Sequence, residues 1–236
     1  MNKTSITIAT PHRRSFSPEY VLSLAETLRD GRFNYNYLIR EGSTLHHQRN
    51  SLCREFLKGP GEYLLFVDSD QCWMAEDVEL LMDVDKDIVT GLIFMKTYPA
   101  QVEIVPLSGS LKSLPDEPFE LASAGTGFLL IRRRVLEAFF ERRIWPFDPL
   151  PIHQILDPTA QNPGIEGDFP SGYYWEDLSF SVKARQLGFS IWCEPRARIG
   201  HIGPQIYLQT PDLAKWFKSV GKAGYEGFSG KGFAKA

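Results

Sequence analysis

The sequence predicts an α/β protein: a mostly parallel sheet with helices on both faces. Three observations carry that expectation. Apolar runs alternate with helical patterns over about the first 100 residues, as βαβ units do. The strand candidates are continuously apolar, like strands covered on both sides. The clearest helix candidate opens on a capping residue and closes on glycine.

The elements follow in order. SITIATP (5–11) reads as a strand stopped by Pro11. Ser17 can cap a helix whose first position suits Pro18. Val21, Leu24, Ala25 and Leu28 fall at helical spacing, and Gly31 ends the run. FNYNYLIREG (33–42) is a second strand. Ser43 or Thr44 opens a helix that runs to Gly59. YLLFVDSD (63–70) is the third strand, AEDVELLMDV (75–84) a helix and DIVTGLIFM (87–95) a strand. Beyond about residue 100 the periodicity fades. VEIVPL (102–107) and FELASAGTGFLLIRR (119–133) read as further strands. EDLSFSVKARQLG (176–188) is a helix, FSIWCEP (189–195) the last strand and TPDLAKWFKSVG (210–221) the last helix. The Gly-rich, basic stretch 221–236 is expected to be mobile.

Composition narrows the class. Of 236 residues, 43% are apolar and 23% charged, an ordinary globular balance. The net charge of −3 offers no basic excess for nucleic acid or an anionic membrane. Cys53, Cys72 and Cys193 show no metal spacing and read as reduced thiols, so a cytoplasmic location is expected. No signal-peptide apolar region opens the chain, and no apolar run is long enough to span a bilayer.

In parallel sheets, ligands bind outside the carboxyl ends of the strands. Four strand ends here carry polar residues: Thr10, Arg40–Glu41, Asp68–Ser69–Asp70 and the segment after Pro195. Asp68 and Asp70 repel each other, with no Lys or Arg beside them in sequence. A divalent ion such as Mg2+ or Mn2+ resolves that repulsion. The alternative is that one aspartate caps the helix near Ala75 while water solvates the other. Arg49 lies on the core-facing stripe of its helix and needs an anion. That anion is an internal carboxylate, such as Glu41 or Asp68, or a nucleotide.

Three later stretches add candidates. Gly125, Thr126 and Gly127 allow close approach of a ligand, or mark a bend in an antiparallel strand. Trp175, Glu176 and Asp177 follow Tyr173–Tyr174 at a helix start. Aromatic faces beside carboxylates suit a sugar ring, and a carboxylate there can act as general base; a favourable helix-dipole contact explains the acids equally well. His201, between Gly200 and Gly203, is a candidate third metal ligand or an ordinary loop histidine.

The ordered set Thr10–Pro11, HQRNSL, YLLFVDSD, GTGFLLIRR, YYWEDLSF and GH resembles the GT-A fold glycosyltransferases, closest to family 2, over roughly residues 4 to 203. The resemblance implies a GT-A domain over 1–205 and a C-terminal helix and tail over 206–236. About 1–100 would form a nucleotide-sugar-binding half, and about 101–205 an acceptor-side half with a smaller mixed sheet. It implies that Thr10, Pro11, Arg40, Glu41, Arg49, Asp68, Ser69 and Gly127 serve the nucleotide sugar. Gly125, Thr126 and Trp175 would border sugar and acceptor. Asp68, Asp70 and His201 would hold Mn2+ or Mg2+. Asp177 would be the base of an inverting transfer, with Glu176 as neighbour or substitute.

The implied donor is a UDP- or GDP-sugar. The acceptor is left open among a glycan, a lipid-linked glycan, a protein and a hydroxymethylated DNA base. Basic residues such as Arg132–Arg134 could serve a polyanionic acceptor, or be solvated faces. Two departures stand out: Gln48 replaces a small residue before "RN", and HRRSF follows the first strand where "NE" is frequent. A sugar-1-phosphate nucleotidyltransferase ranks second, lacking its Gly-rich loop after the first strand; an inactive GT-A-like binding module ranks third. One expectation is sharp: without metal, Asp68 and Asp70 should be a poorly satisfied pair.

Overall fold

The computed structural model describes residues 3–220, except 14, 98–101, 103, 108–112, 152–172, 204–205 and 208–209. The stretch 221–236 therefore lies outside the described residues. The elements in order are β1 (Ser5–His12), α1 (Pro18–Asp30), β2 (Asn34–Glu41), α2 (Leu45–Lys58), β3 (Tyr63–Val67), β4 (Gln71–Cys72), α3 (Ala75–Asp83), β5 (Ile88–Ile93), β6 (Val105–Pro106), β7 (Phe119–Ser123), β8 (Phe128–Arg132) and α4 (Arg133–Glu141). They continue as β9 (Leu150–Pro151), β10 (Tyr173–Tyr174), α5 (Glu176–Gln186), β11 (Ile191–Ile202), β12 (Ile206–Tyr207) and α6 (Thr210–Val220).

Local chemistry accounts for the early units. Ser17 Oγ accepts from the Tyr20 backbone N–H at 3.1 Å and caps α1. Gly31 closes that helix at φ 70°, a conformation open to glycine at little cost. Asp77, rather than Asp68 or Asp70, caps α3: its Oδ2 accepts from the Met74 backbone N–H at 2.7 Å.

The main sheet has the order β2-β1-β3-β8-β5-β11-β7-β6, with β4 and β12 also pairing β11. β1 lies parallel to β2 and β3, and β5 lies parallel to β11. β8 inserts between β3 and β5, antiparallel to both. The sheet is therefore mixed α/β with helices on both faces, consistent with a GT-A-type fold.

Three expectations change. The stretch 119–133 divides into β7, β8 and the start of α4, a helix the strand reading does not contain. Val135, Leu136 and Phe139 bury one side of α4, which explains why it forms there. The last strand does not stop at Pro195 but runs to Ile202, shifting register between Glu194 and Arg198. Pro195 sits at that irregularity, where its missing N–H costs least. His201 is consequently on a strand, not in a loop. Finally, among the described residues β6, β7, β8 and β11 join the main sheet, and only the pair β9–β10 stands apart as a smaller one.

Alternating strand residues feed two cores. Leu64, Phe66, Leu129, Ile131 and Ile191 pack with α2, α4 and α5. Ile6, Ile8, Leu65, Val67, Val89 and Leu130 pack with α1 and α3. α6 docks on the second side through buried Trp216, whose Nε1 donates to the Trp73 carbonyl at 3.1 Å. All three cysteines are buried and free. No helix among the described residues is long and apolar enough to cross a membrane.

Candidate functional site

The strand ends form one rim. β3 ends at Val67, opposite Phe128 at the start of β8. Asp68 follows the former and Gly127 precedes the latter, joined by a hydrogen bond from the Asp68 N–H to the Gly127 carbonyl at 3.0 Å. A Cβ on Gly127 would lie 2.9 Å from Gln71 Nε2 and 3.4 Å from Asp68 Oδ2, so a larger residue there would displace the Gln71 amide.

Neither aspartate is unsatisfied, contrary to the sequence expectation. Arg49, from α2, donates to Asp68 Oδ1 at 2.9 Å and Oδ2 at 3.3 Å. Its side chain is 2% exposed and that of Asp68 26%. Burial alone would pull the guanidinium's pKa down; Asp68, then Glu176 and Asp177, more than offset it and raise it. Asp70 Oδ2 takes Lys96 Nζ at 2.6 Å and faces His201 Nε2 at 3.3 Å. Burial pushes the Asp70 carboxyl up, but His201 and Lys96 outweigh it and hold it down at about 2. The compensating cations come from distant segments, which is why the local sequence shows none.

His201 carries a further constraint. Its Nδ1 lies 3.0 Å from the Phe94 carbonyl, which can only accept, so Nδ1 bears the proton. In a neutral ring Nε2 is then a lone pair aimed at a carboxylate oxygen. That contact needs a proton or a cation between the two atoms. An imidazole oriented by a backbone carbonyl beside a carboxylate is also a common metal-ligand arrangement. Asp70 and His201 therefore suit a divalent ion, provided Lys96 yields its place on Asp70, but Asp68 does not join them: among the described residues only His46, His47 and Asp148 bring three such ligand atoms within 4.8 Å of one another. Both Asp68 oxygens instead engage Arg49, so the expected three-ligand set of Asp68, Asp70 and His201 is not assembled here.

The other expected residues are placed as follows. Thr10 is fully buried and hydrogen-bonded to the Tyr20 hydroxyl, so its side chain is not open to a nucleotide. Pro11 pairs in register with Arg40, and Arg40 Nε donates to Ser51 Oγ at 3.0 Å. Glu41 is exposed at the end of β2. The Ser69 carbonyl accepts from the Ser17 N–H at 3.4 Å. Thr126 is buried and Gly125 exposed. Gln48, the unexpected residue before Arg49, donates to the carbonyls of His12 at 2.8 Å and Gly42 at 2.7 Å. It thereby ties together the ends of β1 and β2.

Trp175 is 60% exposed at the head of α5. Asp177 Oδ1 accepts from the Leu178 N–H at 2.7 Å, while the Glu176 carboxylate has no hydrogen bond among the described residues. Arg132, Arg133 and Arg134 pair with Asp85, Glu137 and Asp87, so they form no free basic surface.

Two features carry no usable sequence signal. Lys96 is marked only by its place just beyond a strand end. His46, His47 and Asp148 place ligand atoms within 4.8 Å of one another, a group compatible with a divalent metal. Asp148 lies about 100 positions from the histidines, so no spacing motif joins them.

No family model matches this chain, and no curated protein matches it. A solved structure of A197 from STIV aligns over 88% of this chain and 95% of its own, at 18% identity and a TM-score of 0.53. A glycosyltransferase involved in the glycosylation of the major capsid of PBCV-1 aligns over 67% of this chain and 78% of its own, at 16% identity and a TM-score of 0.35, too remote to carry an argument. What these comparisons establish is a fold shared with A197 from STIV.

Proposed function

We propose that this chain is a metal-dependent glycosyltransferase, resembling family 2, that moves one sugar from a nucleoside-diphosphate sugar to an acceptor hydroxyl. The observation that supports the reading is the facing pair of His201 Nε2 and Asp70 Oδ2, a contact that a proton or a metal cation would satisfy at the strand-end rim. Asp70 and His201 would hold Mn2+ or Mg2+. Such an ion, when bound, neutralises charge on a leaving diphosphate.

The chain's own groups supply the rest. Arg49 holds Asp68 in place and offers buried positive charge beneath the nucleotide half. Lys96 adds a second cation that a diphosphate can meet once it leaves Asp70. Exposed Trp175 offers a stacking face for a sugar ring. Asp177 takes the acceptor proton, which implies inversion at the anomeric carbon; Glu176 is the substitute base. Gly125 and Gly127 let donor and backbone approach closely. The donor is a UDP- or GDP-sugar, and the acceptor a glycan, a lipid-linked glycan or a modified DNA base.

Thermal-shift measurements with UDP-, GDP-, CDP- and dTDP-sugars, with and without Mn2+, test the reading. One of them should stabilise the protein only when the metal is present. Stabilisation by none, at saturating concentration, overturns it.

A further inference from the structure

We propose that His46, His47 and Asp148 form a second divalent-metal site, zinc-like in preference and separate from the Asp70–His201 rim. The inference does not depend on glycosyl transfer. Two imidazoles and one carboxylate suit Zn2+, Co2+, Ni2+ or Cu2+ better than Mg2+. Three protein ligands also leave room for water in a fourth position.

The geometry is close to what such an ion needs. Metal–ligand bonds of about 2.0–2.2 Å in a tetrahedral set hold the ligand atoms about 3.3–3.6 Å apart. The three ligand atoms lie within 4.8 Å of one another, so side-chain rotations that move them by about 1 Å close the set. The two rings are already in contact, with centroids 4.3 Å apart.

The carboxylate is held in advance. Asn50 Nδ2 donates to Asp148 Oδ1 at 2.6 Å, and the Phe147 N–H donates to Asn50 Oδ1 at 2.9 Å. Lys183 Nζ donates to the carbonyl oxygens of Asp148 at 2.8 Å and Trp145 at 2.7 Å. Asn50 and Lys183 are both buried. A ligating carboxylate oriented by a hydrogen bond from a buried amide is the second-layer arrangement that metal sites use. Among the described residues, Asp148 Oδ2 and the ring nitrogens of both histidines make no hydrogen bond, so they are available.

The site joins two segments that nothing local connects. His46 sits one turn before Arg49 and Asn50 on α2, and Asp148 follows α4. A bound ion would fasten the start of the helix that carries Arg49 to the segment after α4.

The test uses the full chain in an Asp70→Asn background, which removes the rim carboxylate that faces His201. Calorimetric titration should find one Zn2+ per chain, with Co2+ giving a visible imidazole-ligated spectrum. Adding His46→Ala or Asp148→Ala should weaken Zn2+ at least about tenfold and abolish its thermal stabilisation. His47→Ala, at an exposed position, carries the same expectation if Asp148→Ala misfolds. No Zn2+ uptake in the Asp70→Asn protein, or uptake unchanged by these substitutions, overturns the proposal.

Discussion

Removing either member of the Arg49–Asp68 pair separates two costs that the structure makes unequal. Asp68→Asn strands a guanidinium whose side chain is 2% exposed, while Arg49→Met strands a carboxylate that is 26% exposed and can rehydrate. Losing the partner of a buried charge costs about 3–5 kcal/mol. The guanidinium keeps the Phe66 ring, 5.7 Å from its central carbon, and the more distant charges of Glu176 and Asp177. Those contacts trim the cost of Asp68→Asn to about 3 kcal/mol. The rehydrated carboxylate should cost about 1 kcal/mol, the scale of one net hydrogen bond. For a chain of this size each kcal/mol moves Tm by about 2–4 °C. Thermal unfolding should therefore place Asp68→Asn about 6–12 °C, and Arg49→Met about 2–4 °C, below wild type. The double variant should resemble Arg49→Met, because no buried charge is left alone. If Arg49→Met proves as damaging as Asp68→Asn, neutralising Asp68 is not what Arg49 does.

Further outcomes follow from the same site and its surroundings. Lys96→Met should tighten Mn2+ about tenfold in the absence of donor, by calorimetry, because an ammonium no longer competes for Asp70; equal affinities would remove Lys96 from that role. Asp177→Asn should retain donor binding and lose transfer, whereas normal turnover would pass the base to Glu176. Burial holds the Asp77 carboxyl up at about 7, so the folded state binds more protons than the unfolded chain between about pH 4 and pH 7. Stability should therefore fall as pH rises through that window, and Asp77→Asn should recover about 2–4 kcal/mol at pH 7.5 but little at pH 4. A pH-independent difference between variant and wild type in urea unfolding would contradict that account.

The alternation from β1 to β5 is local, so periodicity, the Ser17 cap and Gly31 are enough to read it. A residue such as Phe66 declares a buried strand by its neighbours alone. Strand order is not local. The insertion of β8 between β3 and β5 depends on pairing across about 60 residues, and no periodicity records it. α4 is hidden for a related reason: its apolar residues follow an apolar strand directly, and only packing against α2 and β8 separates the two.

The site divides along the same line. Asp68, Asp70, Arg49 and His201 stand out as residue types in a suggestive order, because a charge at a strand end or on a core-facing stripe is an energetic question visible in one dimension. The answers come from elsewhere in the chain. Arg49 reaches Asp68 across 19 positions, Lys96 reaches Asp70 across 26, and His201 faces Asp70 across 131. Sequence alone determined that two carboxylates and a core-facing guanidinium need partners, and left open whether metal, water or protein supplies them. Only the tertiary structure decided which cations compensate the carboxylates, since that depends on which distant strand ends the sheet brings side by side.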